Sequence, residues 1–226
     1  MKAVSLTKMR IFLLLVLCII ASGFVRNAGA VPIDGFVTPG LPPIHPNPEV
    51  LYRINEGEVI TYPARGIVVS DIEFGSFTDI NRSALGIDEF ESFDAVLTGD
   101  VFIPSMGNFS VTMTGPVDTK VYGKVGQTTG TWIAEILSMS LSGNIGGYSV
   151  LIRESPTLHS TGTTSIAVGN NYMIDSFFDI FTELSIDGGN IWIPQGQSTR
   201  MNLTPEPATV YLLVLGSLGV LRRRRR

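Results

Sequence analysis

Polar and apolar residues alternate along most of this chain with a period of two, not the 3.6 of a helix. In FSVTM (109–113) an apolar residue stands at every second position. Because successive side chains of a strand point to opposite faces, this alternation predicts half-buried β-strands. The pattern also predicts a single apolar face in TWIAEILSMSLSG (131–143), formed by Ile133, Leu137, Met139 and Leu141.

Further strands are predicted along the body of the chain, and clusters of Gly, Asn, Ser and Pro separate most of them. About nine or ten strands at this spacing, with no amphipathic helix between them, indicate an all-β, antiparallel β-sandwich. A closed barrel is the alternative that the pattern leaves open. The segments are RGIVVSDIEF, FDAVLTGDVFI, PVDTKVYGKV, YSVLIR, TSIAV, FFDIFTELSID and NIWI.

The clearest turn lies in ELSIDGGNIWI (183–193). Asp187, Gly188, Gly189 and Asn190 all tolerate positive φ, and apolar segments flank them. This segment therefore predicts a β-hairpin.

Composition divides the chain into four parts. Residues 1–30 are predicted to be a signal peptide, and residues 31–49 an extended lead-in with six prolines. Residues 50–201 are predicted to form the β-sandwich domain, and residues 202–226 a C-terminal sorting signal. A helix is expected in each of the two flanking segments, as the signal helix and as a transmembrane helix.

Charge is distributed unevenly. The formal net charge of the chain is −4, but residues 31–204 hold seven Lys and Arg against nineteen Asp and Glu, a balance of −12. Such an acidic body repels polyanions, so a nucleic-acid partner is not expected. The single cysteine, Cys18, lies in the N-terminal apolar run, which leaves the body without disulfides or thiolate chemistry.

The N-terminus has the three parts of a secretory signal peptide. A basic stretch precedes the apolar IFLLLVLCII, and small residues follow at Ala28 and Ala30. We therefore predict export through the Sec translocon, with signal peptidase cutting between Ala30 and Val31. An uncleaved anchor is disfavoured because the apolar residues 11–21 rise only about 16 Å in a helix.

Candidate chemistry in the body is sparse. His159 lies in a Ser- and Thr-rich loop, but no G-x-S-x-G motif accompanies it, so an exposed loop histidine is the favoured interpretation. We expect no catalytic residues, no cofactor and no metal site. The one weak candidate for calcium is an acidic segment expected to be a loop, with the ligands Asp88, Glu89, Glu91 and Asp94.

Two other kinds of site stay open from the sequence. Exposed aromatic rings such as Tyr148, Tyr172 or Trp192 are candidates for stacking on sugars, although a tryptophan in a strand also suits a core. Paired carboxylates for glycoside hydrolysis would require a separation in space that a sequence does not give.

The chain ends with Pro205, Glu206 and Pro207, then an apolar run (208–221) and five arginines. Fourteen apolar residues rise about 21 Å in a helix, a short span that snorkelling arginines extend. Because arginines are costly to move through a membrane, we expect transfer to stop here, with the body outside and the arginines in the cytoplasm. The stop-transfer residues are Arg222, Arg223, Arg224, Arg225 and Arg226.

This tail closely resembles the C-terminal sorting signal of PEP-CTERM proteins, in which the same three features occur in the same order. The resemblance implies export in a bacterium of the Gram-negative type and an inner-membrane-anchored precursor. It also implies processing by an exosortase and delivery to the cell envelope or an exopolysaccharide matrix, as in a biofilm. The body is also similar to a group of bacterial exported proteins that carry SFFDIFTELSIDGG (176–189), which implies no activity.

These features give three hypotheses. The leading one is an exported, non-enzymatic structural protein of the cell surface or extracellular matrix, processed by an exosortase at Pro205, Glu206 and Pro207. The second is a carbohydrate-binding or calcium-dependent adhesive module. The third is a hydrolase that acts on polysaccharides.

Overall fold

The computed structural model describes residues 31–33, 50–168 and 172–205, and these residues form strands joined by turns and loops, with no helix among them. None of the described segments is a helix long and apolar enough to span a membrane. The two predicted flanking helices lie outside the described residues. The strands are β1 (Val31–Ile33), β2 (Val50–Ile54), β3 (Ile60–Tyr62), β4 (Ile67–Leu85), β5 (Asp88–Ile103), β6 (Gly107–Val121), β7 (Gly130–Ile145), β8 (Tyr148–Glu154), β9 (Ser160–Val168), β10 (Tyr172–Ile180), β11 (Thr182–Ser185), β12 (Ile193–Pro194) and β13 (Thr199–Pro205).

Eight antiparallel strands close into a barrel. The ring runs β2, β4, β5, β6, β7, β9, β10 and β13, and β13 pairs with β2 to complete it. The chain is therefore all-β and antiparallel as predicted, but the sheet is the barrel and not the sandwich. Alternation is the same in both architectures. What separates them is the pairing of the last strand with the first, which removes the free edges of the sheet.

Shorter strands continue the wall beyond this ring at one end. β8 pairs with the second half of β7 and with β11, while β12 pairs with β11 and β3 pairs with β4. The Gly196 amide donates to the Thr61 carbonyl at 2.9 Å, which joins the β12 side to β3. The hydrogen-bonded wall therefore continues around the barrel at this end as well.

Side chains fill the middle of the barrel. The inward residues of β5 alternate with outward ones over its whole length, and the same holds for β6. Five rings, from Tyr52, Phe74, Phe77, Phe93 and Phe178, pack against one another with centroids 5.1–6.5 Å apart. The void left among the central side chains is only about 20 Å³. Such a space is smaller than a small-molecule site, so the middle of the barrel is a packed core.

The inward face predicted for β7 is correct only in the second half of the strand. Met139 and Leu141 point into the core, but Ile133 and Leu137 are exposed. The pairing of β6 with β7 shifts register between Asp118 and Thr119, which is a bulge that reverses the inward face of β7. In the first half of β7, Trp132, Ala134 and Ile136 are therefore the buried residues.

The predicted hairpin at 183–193 is confirmed. Leu184 of β11 pairs with Ile193 of β12, and Gly188 and Gly189 both have positive φ. The predicted boundary between residues 201 and 202 falls inside β13, which runs to Pro205. Of the predicted lead-in, residues 31–33 form β1, which pairs with β10.

Candidate functional site

The first and the last strand of the barrel begin and finish, respectively, at the same end of the barrel. β2 begins at Val50 and β13 ends at Pro205, and these two residues are paired. Because β4 runs antiparallel to β2, the turn from β4 to β5 lies at this end too, together with the β6–β7 loop (122–129). We call this end the terminal rim. The opposite end, with the turns 63–66, 104–106 and 146–147 and the loop 186–192, is the distal rim.

Pro205, the first residue of the predicted sorting motif, is the last residue of the last strand. The chain is held in the wall up to that point, since Leu203 is buried and the Thr204 hydroxyl donates to the Leu51 carbonyl at 3.2 Å. A proline at a strand end is compatible with the sheet, because its missing N–H forfeits no inner ladder bond. The motif therefore starts at the wall itself, without a linker.

The other residues of the predicted export signals are placed as follows. Val31, the residue after the predicted signal-peptide cut, is the first residue of β1. Those outside the described part of the chain are Ala28, Ala30, Glu206, Pro207, Arg222, Arg223, Arg224, Arg225 and Arg226.

The acidic segment proposed for calcium is part of strand β5, so the expected loop is wrong. Alternation along the strand separates the four carboxylates. Glu89 and Glu91 point inward and are buried, whereas Asp94 is exposed on the outer face. Asp88 binds the Lys120 ammonium at 2.9 Å. Within residues 31–33, 50–168 and 172–205, no group of three or more His, Cys, Asp and Glu side chains is arranged to hold a metal ion.

Basic side chains pair with the two inward carboxylates. Lys124 and Glu89 are both 0% exposed, and the Lys124 Nζ donates to the Glu89 Oε2 at 2.9 Å. Arg82 donates to the other oxygen of Glu89 and lies 3.7 Å from Glu91. We call Arg82, Glu89, Glu91 and Lys124 the buried ion network. Sequence reasoning missed it because Arg82 and Lys124 come from other parts of the chain.

The backbone of the β6–β7 loop brings Lys124 to this position. The Val125 amide donates to the Ile87 carbonyl at 3.0 Å, and the Gly123 amide donates to the Asp88 carboxylate at 2.9 Å. The Gly123 amide and then the Lys120 ammonium lower the pKa of Asp88. Burial lowers the pKa of Lys124, and Glu89 opposes that change. The network and these hydrogen bonds therefore connect the β4–β5 turn with the β6–β7 loop.

His159 is an exposed loop histidine, as predicted. Its side chain is 80% exposed, and its Nδ1 lies 2.7 Å from the Glu135 carboxylate. The Tyr122 hydroxyl binds the other oxygen of Glu135, and this bond raises the pKa of Tyr122 to about 12. The neighbouring Ser160 hydroxyl is instead bound to the Phe181 backbone. The arrangement is an acid–histidine pair without a serine nucleophile.

The distal rim carries a cup of about 420 Å³, which is within the range of small-molecule sites. Its floor is aliphatic, from Ile103, Ile145 and Ile193. Tyr148, which is 58% exposed, stands at its lip with Arg65 and Asp187. We call this the distal cup. No carboxylate of the described residues forms an ion pair with Arg65.

Sequence reasoning pointed to Tyr148 as an exposed aromatic but missed the rest of the distal cup. Its residues come from four separate turns, and only the closed barrel brings these together. Of the other two aromatics singled out, Trp192 is partly covered by the Arg153 guanidinium, 4.0 Å from its ring centre, and Tyr172 is the first residue of β10.

No protein-family model, curated protein or solved structure matches this chain.

The buried ion network predicts strong coupling between Glu89 and Lys124. Glu89→Gln and Lys124→Met should each lower the free energy of unfolding by about 3–5 kcal/mol, because each removes a charge that compensates a buried ion of opposite sign. The double variant should lose clearly less than the sum of the two. Urea unfolding of the purified protein measures all three values.

Lys120→Met is the matched control. Lys120 is a partly exposed lysine of β6, four residues before Lys124. Its cost should stay within about 1 kcal/mol. Strict additivity of the Glu89 and Lys124 changes, or a Lys124→Met cost no larger than that of Lys120→Met, would contradict the role assigned to the network.

Proposed function

We propose that this chain is an exported, non-enzymatic structural protein of the bacterial envelope or its extracellular matrix. In this proposal, its barrel reaches the far side of the inner membrane, and an exosortase then cuts the chain near Pro205, Glu206 and Pro207. The observation that carries the proposal is the position of Pro205 at the end of the closing strand β13. A folded barrel thus ends where the motif begins.

The proposed route follows the two ends of the sequence. The Sec translocon moves the chain, and signal peptidase cuts it between Ala30 and Val31. Transfer then stops at the apolar run 208–221 and the five arginines behind it, which hold the precursor in the inner membrane. Each arginine near an anionic lipid surface contributes about 1 kcal/mol to this orientation.

The junction suits cutting after folding. Residues up to Thr204 are tied into the wall by the pairing of β13 with β2 and β10. Proline resists helix and favours extended backbone before it, so Pro205 and Pro207 keep the motif extended between barrel and membrane. A sorting enzyme could therefore bind the motif by releasing only Pro205, the last residue of β13, from its pairing with Val50.

Three features favour a structural role over a catalytic one. The packed core leaves only about 20 Å³ among the central side chains. Glu89 and Glu91, which lie near each other, are buried against Arg82 and Lys124 instead of facing a cleft. His159 has a carboxylate partner, and the hydroxyl of the neighbouring Ser160 is bonded to the Phe181 backbone.

The distal cup supports a second candidate function, the binding of a saccharide of the matrix. A tyrosine ring can stack on the apolar face of a sugar, and guanidinium and carboxylate groups form hydrogen bonds with its hydroxyls. Tyr148, Arg65 and Asp187 supply these groups in the lining of the cup. The terminal rim is the tethered end in this proposal, so the distal cup would point away from the membrane.

The sorting proposal predicts that processing depends on the positive charge behind the apolar run. Deletion of Arg222–Arg226 should leave most of the chain unprocessed, because the precursor is no longer held with its motif at the membrane surface. Replacement of the same five residues by lysine is the matched control and should preserve processing. Immunoblots of membrane and released fractions measure the cut and uncut forms.

Unchanged processing after the deletion would contradict the proposal. Equal loss in the lysine variant would also contradict it, because the stop-transfer effect depends on charge.

The cup predicts binding of a neutral hexose oligosaccharide, measured by titration calorimetry on the purified protein. Arg65→Ala and Tyr148→Ala should each raise Kd by about tenfold, or about 1.4 kcal/mol. Tyr122→Ala, which removes an exposed tyrosine of the terminal rim, should leave Kd unchanged. A Kd that is unchanged in the Arg65→Ala and Tyr148→Ala variants would contradict the role of the cup.

A further inference from the structure

The turn from β4 to β5 displays the two most exposed large aliphatic side chains of the described residues. Leu85 is 70% exposed and Ile87 is 71% exposed, and Gly86 between them has φ +65°. A glycine allows this tight turn, which projects both side chains from the terminal rim. Scattered single apolar residues are common on surfaces, but here two lie together at one tip.

This tip is held in place by its neighbours. The Ile87 carbonyl accepts from the Val125 amide at 3.0 Å, and the buried ion network begins two residues later at Glu89. The exposed side chains are therefore carried by a braced turn.

The residues beside the tip are those typical of a membrane–water interface. Tyr122 is exposed, and the Lys120 Nζ lies 4.3 Å from the centre of its ring. Asp88, which follows Ile87 in the sequence, is paired with Lys120 at 2.9 Å, and Glu135 accepts from the Tyr122 hydroxyl. Aliphatic side chains flanked by tyrosine and lysine are favoured at the level of lipid headgroups.

The length of the tether places lipid close to this tip. The chain leaves the wall at Pro205 on the terminal rim, and the apolar run begins at residue 208, three residues later. Three residues span at most about 10 Å. If the run enters the membrane, as the proposed function requires, the terminal rim stays within about that distance of the bilayer surface.

We propose that Leu85 and Ile87 insert into the outer surface of the inner membrane while the precursor is tethered. The occupant of this apolar tip is lipid, and the contact fixes the barrel with its terminal rim against the bilayer and its distal rim away from it. This inference rests on the proposed tether. It adds a second point of attachment and hence a defined orientation for the sorting motif.

Fluorophore quenching in brominated lipid tests the inference. Precursor is extracted from cells that lack the sorting enzyme and reconstituted in vesicles of phosphatidylethanolamine and phosphatidylglycerol with brominated chains. Each variant carries Cys18→Ala and one new cysteine, Ile87→Cys or Leu85→Cys, labelled with an environment-sensitive dye. Both labels should shift to shorter wavelength and lose emission in brominated vesicles. Both positions are exposed, so neither substitution removes core packing.

Ile191→Cys is the matched control, because Ile191 is an exposed isoleucine of the distal rim. Its label should show neither change.

Vesicle flotation distinguishes the two possible failures. Protein that floats with the vesicles while the labels at 85 and 87 stay unquenched overturns the membrane contact and leaves the tether intact. Protein that does not float overturns the tether, and the contact with it.

Discussion

The pairing of β13 with β2 is the constraint on which the rest of the structure depends. It joins the last strand to the first, so that every strand of the eight-strand ring has two neighbours. The same pairing sets Pro205 opposite Val50. Closure of the barrel therefore also fixes the position at which the proposed sorting motif begins.

The interior changes character along the barrel axis. Aromatic and aliphatic side chains fill the middle, while three charged side chains, Glu89, Glu91 and Lys124, are buried towards the terminal rim beside the partly exposed Arg82. Burying charges is costly unless they are paired, so this end gains little stability over an apolar filling of the same shape. The ion pairs instead fix the geometry, since they connect β4, β5 and the β6–β7 loop. At the distal end, the turns of the described residues enclose an open cup.

The local pattern of the sequence predicted the local structure well. Alternation located the strands, and the Asp-Gly-Gly-Asn turn located the β11–β12 hairpin. The barrel could not be chosen over the sandwich, because closure depends on pairs about 150 residues apart. Ile133 was predicted to face the core, but a bulge in the pairing of β7 with β6 turns it outward. Glu89 and Glu91 were mistaken for loop residues because charges are rare on an inward face, and only the fold brings Arg82 and Lys124 to them.

Intact-mass measurement of the protein recovered from envelope and medium tests the central claim most directly. If the motif leaves the wall at Pro205 and is cut there, the mature chain begins at Val31 and ends at or just after Pro205, with β13 complete. A chain of the full 24.4 kDa, with both ends uncut, would contradict the account. So would a mature C-terminus inside β13, because such a cut would open the barrel.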